Sequence, residues 1–531
     1  MEGNSLLLMS LMLMPLLLLT DSASLTFQNL TLDNDDTFLY TIYYNSNEDT
    51  VYVGGRNVLL KLNSSLQLLE KVDKGPVRDH PSCGPDSDCP EGVEVPNDIK
   101  ILEFSERKNL LLVCGTAKKG ACTLHSLKNI SDFRSLGQGN PDSVNGHLVG
   151  SGSSALVQMS SAADSSSEEI LYIFHEYDGR DTQFSPPVVS IRKLEQQVNL
   201  TLDYLYNEEK VLGQFSWLKI DEKFQQTYFM SFVYSFRNGE HVYFLMNQQK
   251  SLSDSNSVRI RLGRLCYSNV DVILQSYIEM ELFCQLGDVL FNKAVSATFV
   301  NNILYLAAVQ TKQSERTTDE SKGSALCQFS ISTLDNYFTE GNNLCYNSAK
   351  GKRLEWNRGP LNCFKVRDYL AAALNKSFCG QHDNAGIRTE IEGNPKGDLL
   401  MLDNLIITVI QPLPLATGLF VGYNDGNIKK IRFENSVGVA YATIKLSSKP
   451  ITTMTADDKM NFYILSGNQI IKFPAGSCHI HLDCDICLTS GDPLNCGWCS
   501  EGLNTCTQKD QCSSGNWNKG GTARCPPTIF K

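Results

Sequence analysis

Cys478-His-Ile-His-Leu-Asp-Cys484-Asp-Ile-Cys487-Leu-Thr-Ser-Gly-Asp-Pro-Leu-Asn-Cys496-Gly-Trp-Cys499 opens a segment, Cys478 to Cys525, that holds eight of the chain's 18 cysteines. Their spacing is C-x5-C-x2-C-x8-C-x2-C-x6-C-x5-C-x12-C. A segment this short buries too little apolar surface to fold unaided, so disulfides or a metal must hold it. Cys484/Cys487 and Cys496/Cys499 have the C-x2-C…C-x2-C form of a zinc site, with His479 and His481 beside them.

The amino terminus decides between the two. Leu6 to Leu19 is an apolar run broken only by Ser10 and Pro15, and the small polar stretch Thr20-Asp-Ser-Ala-Ser24 follows it. This reads as a secretory signal peptide over residues 1–23, although no Lys or Arg precedes the run. Sequons at Asn29, Asn63, Asn129, Asn199 and Asn375 agree with the secretory pathway and mark candidate glycosylation sites. In an oxidising compartment thiols pair with one another. The cluster therefore reads as a disulfide framework, with His479 and His481 expected to be ordinary surface residues and no metal or cofactor implied.

About 450 residues separate the signal peptide from the cluster, long for one ordinary domain but normal for a repetitive β-structure. Hydrophobic residues make up 42% and charged residues 20%, enough apolar content for a core. The net charge of −11 is spread thinly, without a basic stripe, which argues against nucleic acid as a partner. Leu405 to Val421 is mostly apolar, but Pro412 and Pro414 break it and its flanks read as strands, so it is expected to be buried β-structure rather than a membrane span. The chain as read has no membrane anchor.

Paired apolar runs recur along this region. They are Val51–Leu62; Leu110–Gly115 with Ala121–Ser126; Ile170–Phe174 with Val188–Leu194; His241–Met246 with Val258–Cys266; Ile303–Val309 with Ala325–Ser330; Gly418–Ile431; and Asn461–Lys472. In the last two, Gly- and Asn-rich turns that accept positive φ join the runs, a hairpin signal with a mechanism. Seven pairs at irregular spacing predict an all-β propeller with long insertions; a set of β-sandwiches is the alternative. Of the ten cysteines before the cluster, Cys83 and Cys89 could close a small loop and Cys114 and Cys122 could cross-link a hairpin, each stabilising by about 2–3 kcal/mol. The residues alone leave the other six unassigned.

The Cys-Gly-Trp-Cys core resembles the plexin–semaphorin–integrin (PSI) module, and the part before it resembles a sema domain. Several stretches are similar to plexins in particular: Gly75-Pro-Val77, Cys114-Gly-Thr-Ala-Lys-Lys-Gly-Ala-Cys122, Tyr234-Ser-Phe-Arg237, Ser276-Tyr-Ile-Glu279, Ser324-Ala-Leu-Cys327, Phe378-Cys-Gly-Gln381 and Gly426-Asn-Ile-Lys-Lys-Ile431. Cys122 to Ser131 is most like B-type plexins. The resemblance implies a seven-bladed sema propeller over 24–476, a PSI module over 477–526 and a tail, 527–531. It also implies the disulfides Cys83–Cys89, Cys114–Cys122, Cys266–Cys379, Cys284–Cys327, Cys345–Cys363, Cys478–Cys496, Cys484–Cys525, Cys487–Cys506 and Cys499–Cys512. The hepatocyte growth factor receptor family is the nearest rival, through Phe184-Ser-Pro-Pro-Val-Val-Ser-Ile-Arg192, but Cys284 to Asn292 lacks that family's basic processing run. A semaphorin-like ligand is the third reading.

An enzyme should show a nucleophile or an acid–base pair, and no G-x-S-x-G, H-E-x-x-H or P-loop is present. His175, Glu176 and Asp181 read as a polar turn, and Ser151–Ser154 and Ser165–Ser167 as loops. The function implied by the resemblance is therefore an extracellular binding head for a semaphorin, with no small-molecule substrate. Family geometry points to the middle blades, roughly residues 160 to 250, for contact.

Overall fold

The computed structural model describes residues 27–32, 38–80, 89–105, 108–118, 120–136, 149–150, 154–161, 169–177, 187–196, 200–204, 217–267, 275–348, 351–358, 362–363, 374–375, 377–379, 387–389, 394–413, 418–500, 504–513, 516–519 and 525. The signal peptide, the tail, Cys83, Asp181, Asn199, Ser151–Ser153 and Ser165–Ser167 lie outside these residues.

Seven sheets of four or more strands, antiparallel apart from one pairing, are present among the described residues. Each begins with an inner strand, and these are Leu39–Asn45, Ile99–Ser105, Ala155–Ser161, Met230–Asn238, Lys293–Val300, Ile407–Pro412 and Thr453–Ala456. Every inner strand touches the next, and the last touches the first, so the sheets close a ring as the blades of a propeller do. The short strand Gln28–Thr31 completes the last blade by pairing with Gln469–Pro474, in register Gln28 with Lys472. The chain's beginning is thereby fastened to the end of the ring.

The second strands of the blades, such as Thr50–Gly55 and Gly418–Tyr423, are buried on both faces, which is why they read as unbroken apolar runs rather than alternating ones. In blade 1, Val51, Val53 and Leu60 pack against Tyr463, Leu465 and Ile470 of blade 7. Their neighbours Tyr52 and Leu59 turn the other way, against Ile99, Leu111 and Val113 of blade 2. One strand thus feeds two inter-blade cores. The tight turn after such a strand needs positive φ: Gly426 has φ +85°, and a Cβ there would lie 2.2 Å from the Ser447 carbonyl oxygen.

Blade 5 departs from the pattern. After its third strand, Ser324–Ser330, the chain makes an excursion before returning as Asp398–Asp403. The excursion contains the helix Ile331–Ser348 and the strands Lys352–Arg353 and Ile387–Thr389, which extend blade 4 to six strands. Ile387–Thr389 joins Ile278–Glu281 in parallel, a pairing that only a long crossover permits. Cys266–Cys379 and Cys345–Cys363 tie the excursion down.

The cysteine-rich module is a three-stranded sheet with Gly497–Cys499 at its centre and the helix Cys484–Thr489 beside it. Asp483 caps that helix through the Asp485 and Ile486 N–H groups. Gly497 admits no side chain, because a Cβ would lie 2.4 Å from the Trp517 ring.

Candidate functional site

Successive strands of an up-and-down blade turn at alternate ends, so the ring has two faces. On one lie the turns between first and second strands (46–49, 108–109, 239–240, 301–302, 457–460) and between third and fourth. Except for the blade 5 excursion, these are mostly short. The opposite face carries the connections between blades and between second and third strands, including the described segments 74–80, 89–98, 217–229, 282–292 and 310–323. Long connections held on a rigid ring are where a propeller can build a recognition surface. This loop face is the candidate site.

Its described parts are held by side chains that bond across blades. Arg56 forks onto Asp98, Nε to Oδ1 at 2.8 Å and Nη2 to Oδ2 at 3.2 Å. Tyr40 donates to the same carboxylate at 2.9 Å, and burial together with that bond pushes its phenol up to about 12. On the other side of the ring, Arg316 donates to the Ser255 and Thr227 carbonyls and lies over the Phe229 ring at 4.9 Å, while Lys293 donates to the Arg316 carbonyl at 3.0 Å. Four large apolar residues stand exposed on this face: Phe38, Val93, Leu286 and Val289. The last two flank the tip of a hairpin, Cys284–Leu286 with Val289–Phe291, that Cys284–Cys327 fastens to blade 5. Exposed apolar groups on a frame that does not deform are what a protein–protein contact uses.

The sequons fall elsewhere. Asn63 ends a third strand, Asn129 lies in a third-to-fourth turn, Asn375 lies in the excursion, and Asn29 is on the outermost strand of blade 7. Asn29, Asn129 and Asn375 are exposed and Asn63 is half-buried. In three of them the side-chain oxygen accepts the N–H of the sequon serine: Ser65, Ser131 and Ser377, each at 3.0 Å. Asn199 stands in the chain between the third and fourth strands of blade 3. None of the four described sequons is on the loop face.

The other candidates from sequence are structural. His175 is fully buried on the strand Glu169–His175, and Glu176 is engaged by the Ser154 N–H and hydroxyl at 2.8 and 3.0 Å. The C-x2-C pairs hold no metal: Cys478–Cys496, Cys484–Cys525, Cys487–Cys506 and Cys499–Cys512 are disulfides. His481, Asp492 and Cys496 do bring ligand-type atoms within 4.8 Å of one another, but the Cys496 sulfur is already bonded to Cys478. Cys114–Cys122 completes the described disulfides, and Cys89 is disulfide-bonded as well.

One expectation is corrected here. His479 is exposed, but His481 is buried, because it belongs to the joint between the small module and blade 6. Its Nε2 lies 2.9 Å from Asp492 Oδ2, and the Lys430 ammonium of blade 6 reaches the same oxygen at 3.3 Å and the Ala475 carbonyl at 2.9 Å. Burial pushes the Asp492 carboxyl up, but His481, Lys430 and the Leu494 N–H outweigh it and hold it below the ordinary carboxylate range. Burial lowers the Lys430 ammonium, which Asp492 only partly offsets. Arg432 adds a bond to the Ser490 carbonyl.

A second buried network fixes the excursion. Arg388 is bonded to Glu279 at 2.9 Å, Glu355 at 2.6 Å, Tyr228 at 3.1 Å and Gln248 at 3.2 Å. Burial raises the Glu279 carboxyl, and Arg388 and Arg261 bring it back below its usual value. Sequence reading missed both networks; for Lys430 no signal was available, since it stands among Lys429, Arg432 and Glu434 in one strand.

Comparison with known proteins is consistent with this architecture. The PSI (plexin repeat) family model matches residues 477–526. Human Plexin-A4 is 28% identical over 502 residues, covering 87% of this chain and 25% of the relative. Human Plexin-B1 is 25% identical over 509 residues, covering 90% and 23%. The leaning toward B-type plexins is therefore corrected, since the A-type relative is the more similar of the two. A solved Plexin A4 full extracellular region superposes with TM-score 0.79 at 24% identity, covering 92% of this chain and 55% of that one. Drosophila Plexin A in complex with Semaphorin 1b superposes at 0.57 and 16%, covering 94% and 97%. The chain spans about a quarter of the length of its plexin relatives. No helix among the described residues is long and apolar enough to cross a membrane.

Proposed function

From its homology to the plexin extracellular region, we propose that the chain is an extracellular ligand-binding head of a semaphorin receptor, acting by binding rather than by catalysis. The ligand is a semaphorin, docked through its own sema domain onto the loop face, with blades 3 and 4 at the centre of contact. The observation that carries this reading is the partition of the ring. Long connections, the exposed Phe38, Val93, Leu286 and Val289 and the Arg56 and Arg316 clamps lie on one face, and the four described sequons lie off it. Glycans at those sequons would leave that face open to a protein partner.

Preorganisation sets the energetics. Arg56–Asp98, Arg316 and the disulfides hold the face in place before docking, so little ordering entropy is lost on association. The buried joint at Asp492 fixes the PSI module against blade 6, which orients the head relative to whatever follows it. Secretion, glycosylation at the five sequons and a Cys83–Cys89 disulfide belong to the same proposal. Surface-capture binding of the purified chain against a panel of semaphorins and growth-factor ligands tests it. Saturable semaphorin binding is expected; growth-factor binding without semaphorin binding would overturn it.

A further inference from the structure

Six lysines have a described ion pair with a carboxylate: Lys61 faces Glu48 and Glu70, Lys71 faces Asp73, Lys250 faces Asp254, Lys429 faces Asp403, Lys430 faces Asp492 and Lys459 faces Asp49. Lys74, half-buried where the chain leaves blade 1 for blade 2, is different. Its Nζ lies 3.1 Å from Thr123 Oγ1, 3.4 Å from His125 Nε2 and 4.3 Å from the centre of the Phe133 ring. No carboxylate is among its described contacts.

The protonation of this group follows from its bonds. His125 Nδ1 is 2.6 Å from the Ile130 carbonyl, which can only accept, so Nδ1 carries the hydrogen. Burial pushes the His125 imidazole down to about 3, which leaves it neutral and Nε2 bare. The Thr123 hydroxyl donates to that nitrogen at 2.8 Å and offers its oxygen to Lys74. The ammonium is therefore met by the Thr123 hydroxyl oxygen, a neutral imidazole whose lone pair is already engaged and a π face, all uncharged, while half-burial removes part of its water. Those neighbours stabilise the charged form less than bulk water or a carboxylate would. Burial accordingly lowers the Lys74 amine to about 8.

We propose that Lys74 is a nucleophilic lysine, the site at which activated acyl esters modify this domain at neutral pH. The nitrogen lone pair adds to the carbonyl carbon. With an N-hydroxysuccinimide ester the C–N bond forms, the acyl C–O bond breaks, N-hydroxysuccinimide leaves and the displaced proton passes to water. An amine of pKa 8 is about one-fifth neutral at pH 7.4, against roughly one part in a thousand for an ordinary lysine. A less basic amine is also a weaker nucleophile, which leaves a net advantage of about tenfold.

The test is competitive labelling of the intact chain with a trace of sulfosuccinimidyl acetate between pH 6.5 and 9.5. The chain is then denatured, fully labelled with a deuterated reagent and read peptide by peptide in a mass spectrometer. At pH 7.4 Lys74 is expected to react about tenfold faster than the exposed Lys71 and Lys459, and to level off above about pH 8.5 while they continue to rise. A rate below that of Lys71, or one that climbs in parallel with it to pH 9.5, would overturn the proposal. Phe133→Glu, at a largely exposed position, gives the ammonium a carboxylate and should remove the excess; unchanged reactivity in that variant would also count against it.

Discussion

Replacing Asp492 with alanine separates the joint between blade 6 and the PSI module while leaving both cores intact. The carboxylate accepts from His481 and Lys430, and the side chains of all three are within 2% of full burial. Its other oxygen accepts the Leu494 N–H at 2.9 Å. Alanine leaves the Lys430 ammonium buried with only the Ala475 carbonyl, and removing one partner of a buried pair costs about 3–5 kcal/mol. Urea unfolding followed by tryptophan fluorescence should show that loss, and small-angle scattering should show a wider spread of PSI orientations. The double change Lys430→Met with Asp492→Leu should recover most of the loss, because it removes both charges and keeps the volume. The pH dependence has a definite sign. The folded carboxyl titrates below its unfolded value, so its stabilising contribution is complete above about pH 5 and is lost as pH falls through the folded pKa, below about 4. A loss under 1 kcal/mol in Asp492→Ala, with no added acid sensitivity to distinguish wild type from variant, would refute the reasoning.

Arg388→Met should cost a similar 3–5 kcal/mol by leaving Glu279 buried and unpaired, and hydrogen exchange should speed up first in Ile331–Ser348 and Ile387–Thr389; uniform protection there would contradict it. Burial pushes the half-buried Glu103 carboxyl up to about 7, the Met159 N–H only partly offsetting it. An acid with a raised folded pKa makes the protein less stable as pH climbs from about 4.5 to 7. Glu103→Gln should therefore raise Tm at pH 8 and leave it nearly unchanged at about pH 4, below both pKa values, and a fall in Tm at pH 8 would be the wrong sign. Thiol mapping by mass spectrometry is expected to find none of the 18 cysteines free; zinc bound by reduced Cys484 and Cys487 would contradict the disulfide framework.

The seven strand pairs read from sequence are the second and third strands of the seven blades. They were legible because the second strands are buried on both faces, so apolar content alone marks them. The inner strands, such as Ala155–Ser161, and the outer ones, such as Leu68–Asp73, carry polar residues on the channel or solvent side and fall below that signal. Ring closure by Gln28–Thr31 could not be read, since it depends on a partner more than 400 residues away. The excursion was missed for a related reason. Its helix Ile331–Ser348 is rich in Asn and Thr, weak helix formers held here by packing and by the Cys345–Cys363 disulfide. Cysteines 113 and 43 residues apart meet because the excursion folds back onto blade 4 and the connection after blade 4 lies against blade 5, proximities that spacing does not encode. His481 looked like a surface residue because its partners, Lys430 and Asp492, lie on different modules.

The loop face is tested most directly by two sequons introduced at opposite ends of one strand, His241–Ser251 of blade 4. Ser253→Asn completes Asn-x-Ser with Ser255 on the loop face; Glu240→Thr completes Asn-x-Thr with Asn238 on the opposite face. Both positions are exposed turns. With glycan occupancy verified by mass shift, the Ser253 variant is expected to lose semaphorin binding by at least about tenfold, more than 1.4 kcal/mol, and the Glu240 variant to bind as the parent does. Full binding by the Ser253 variant together with loss in the Glu240 variant would place the ligand on the other face and contradict the account.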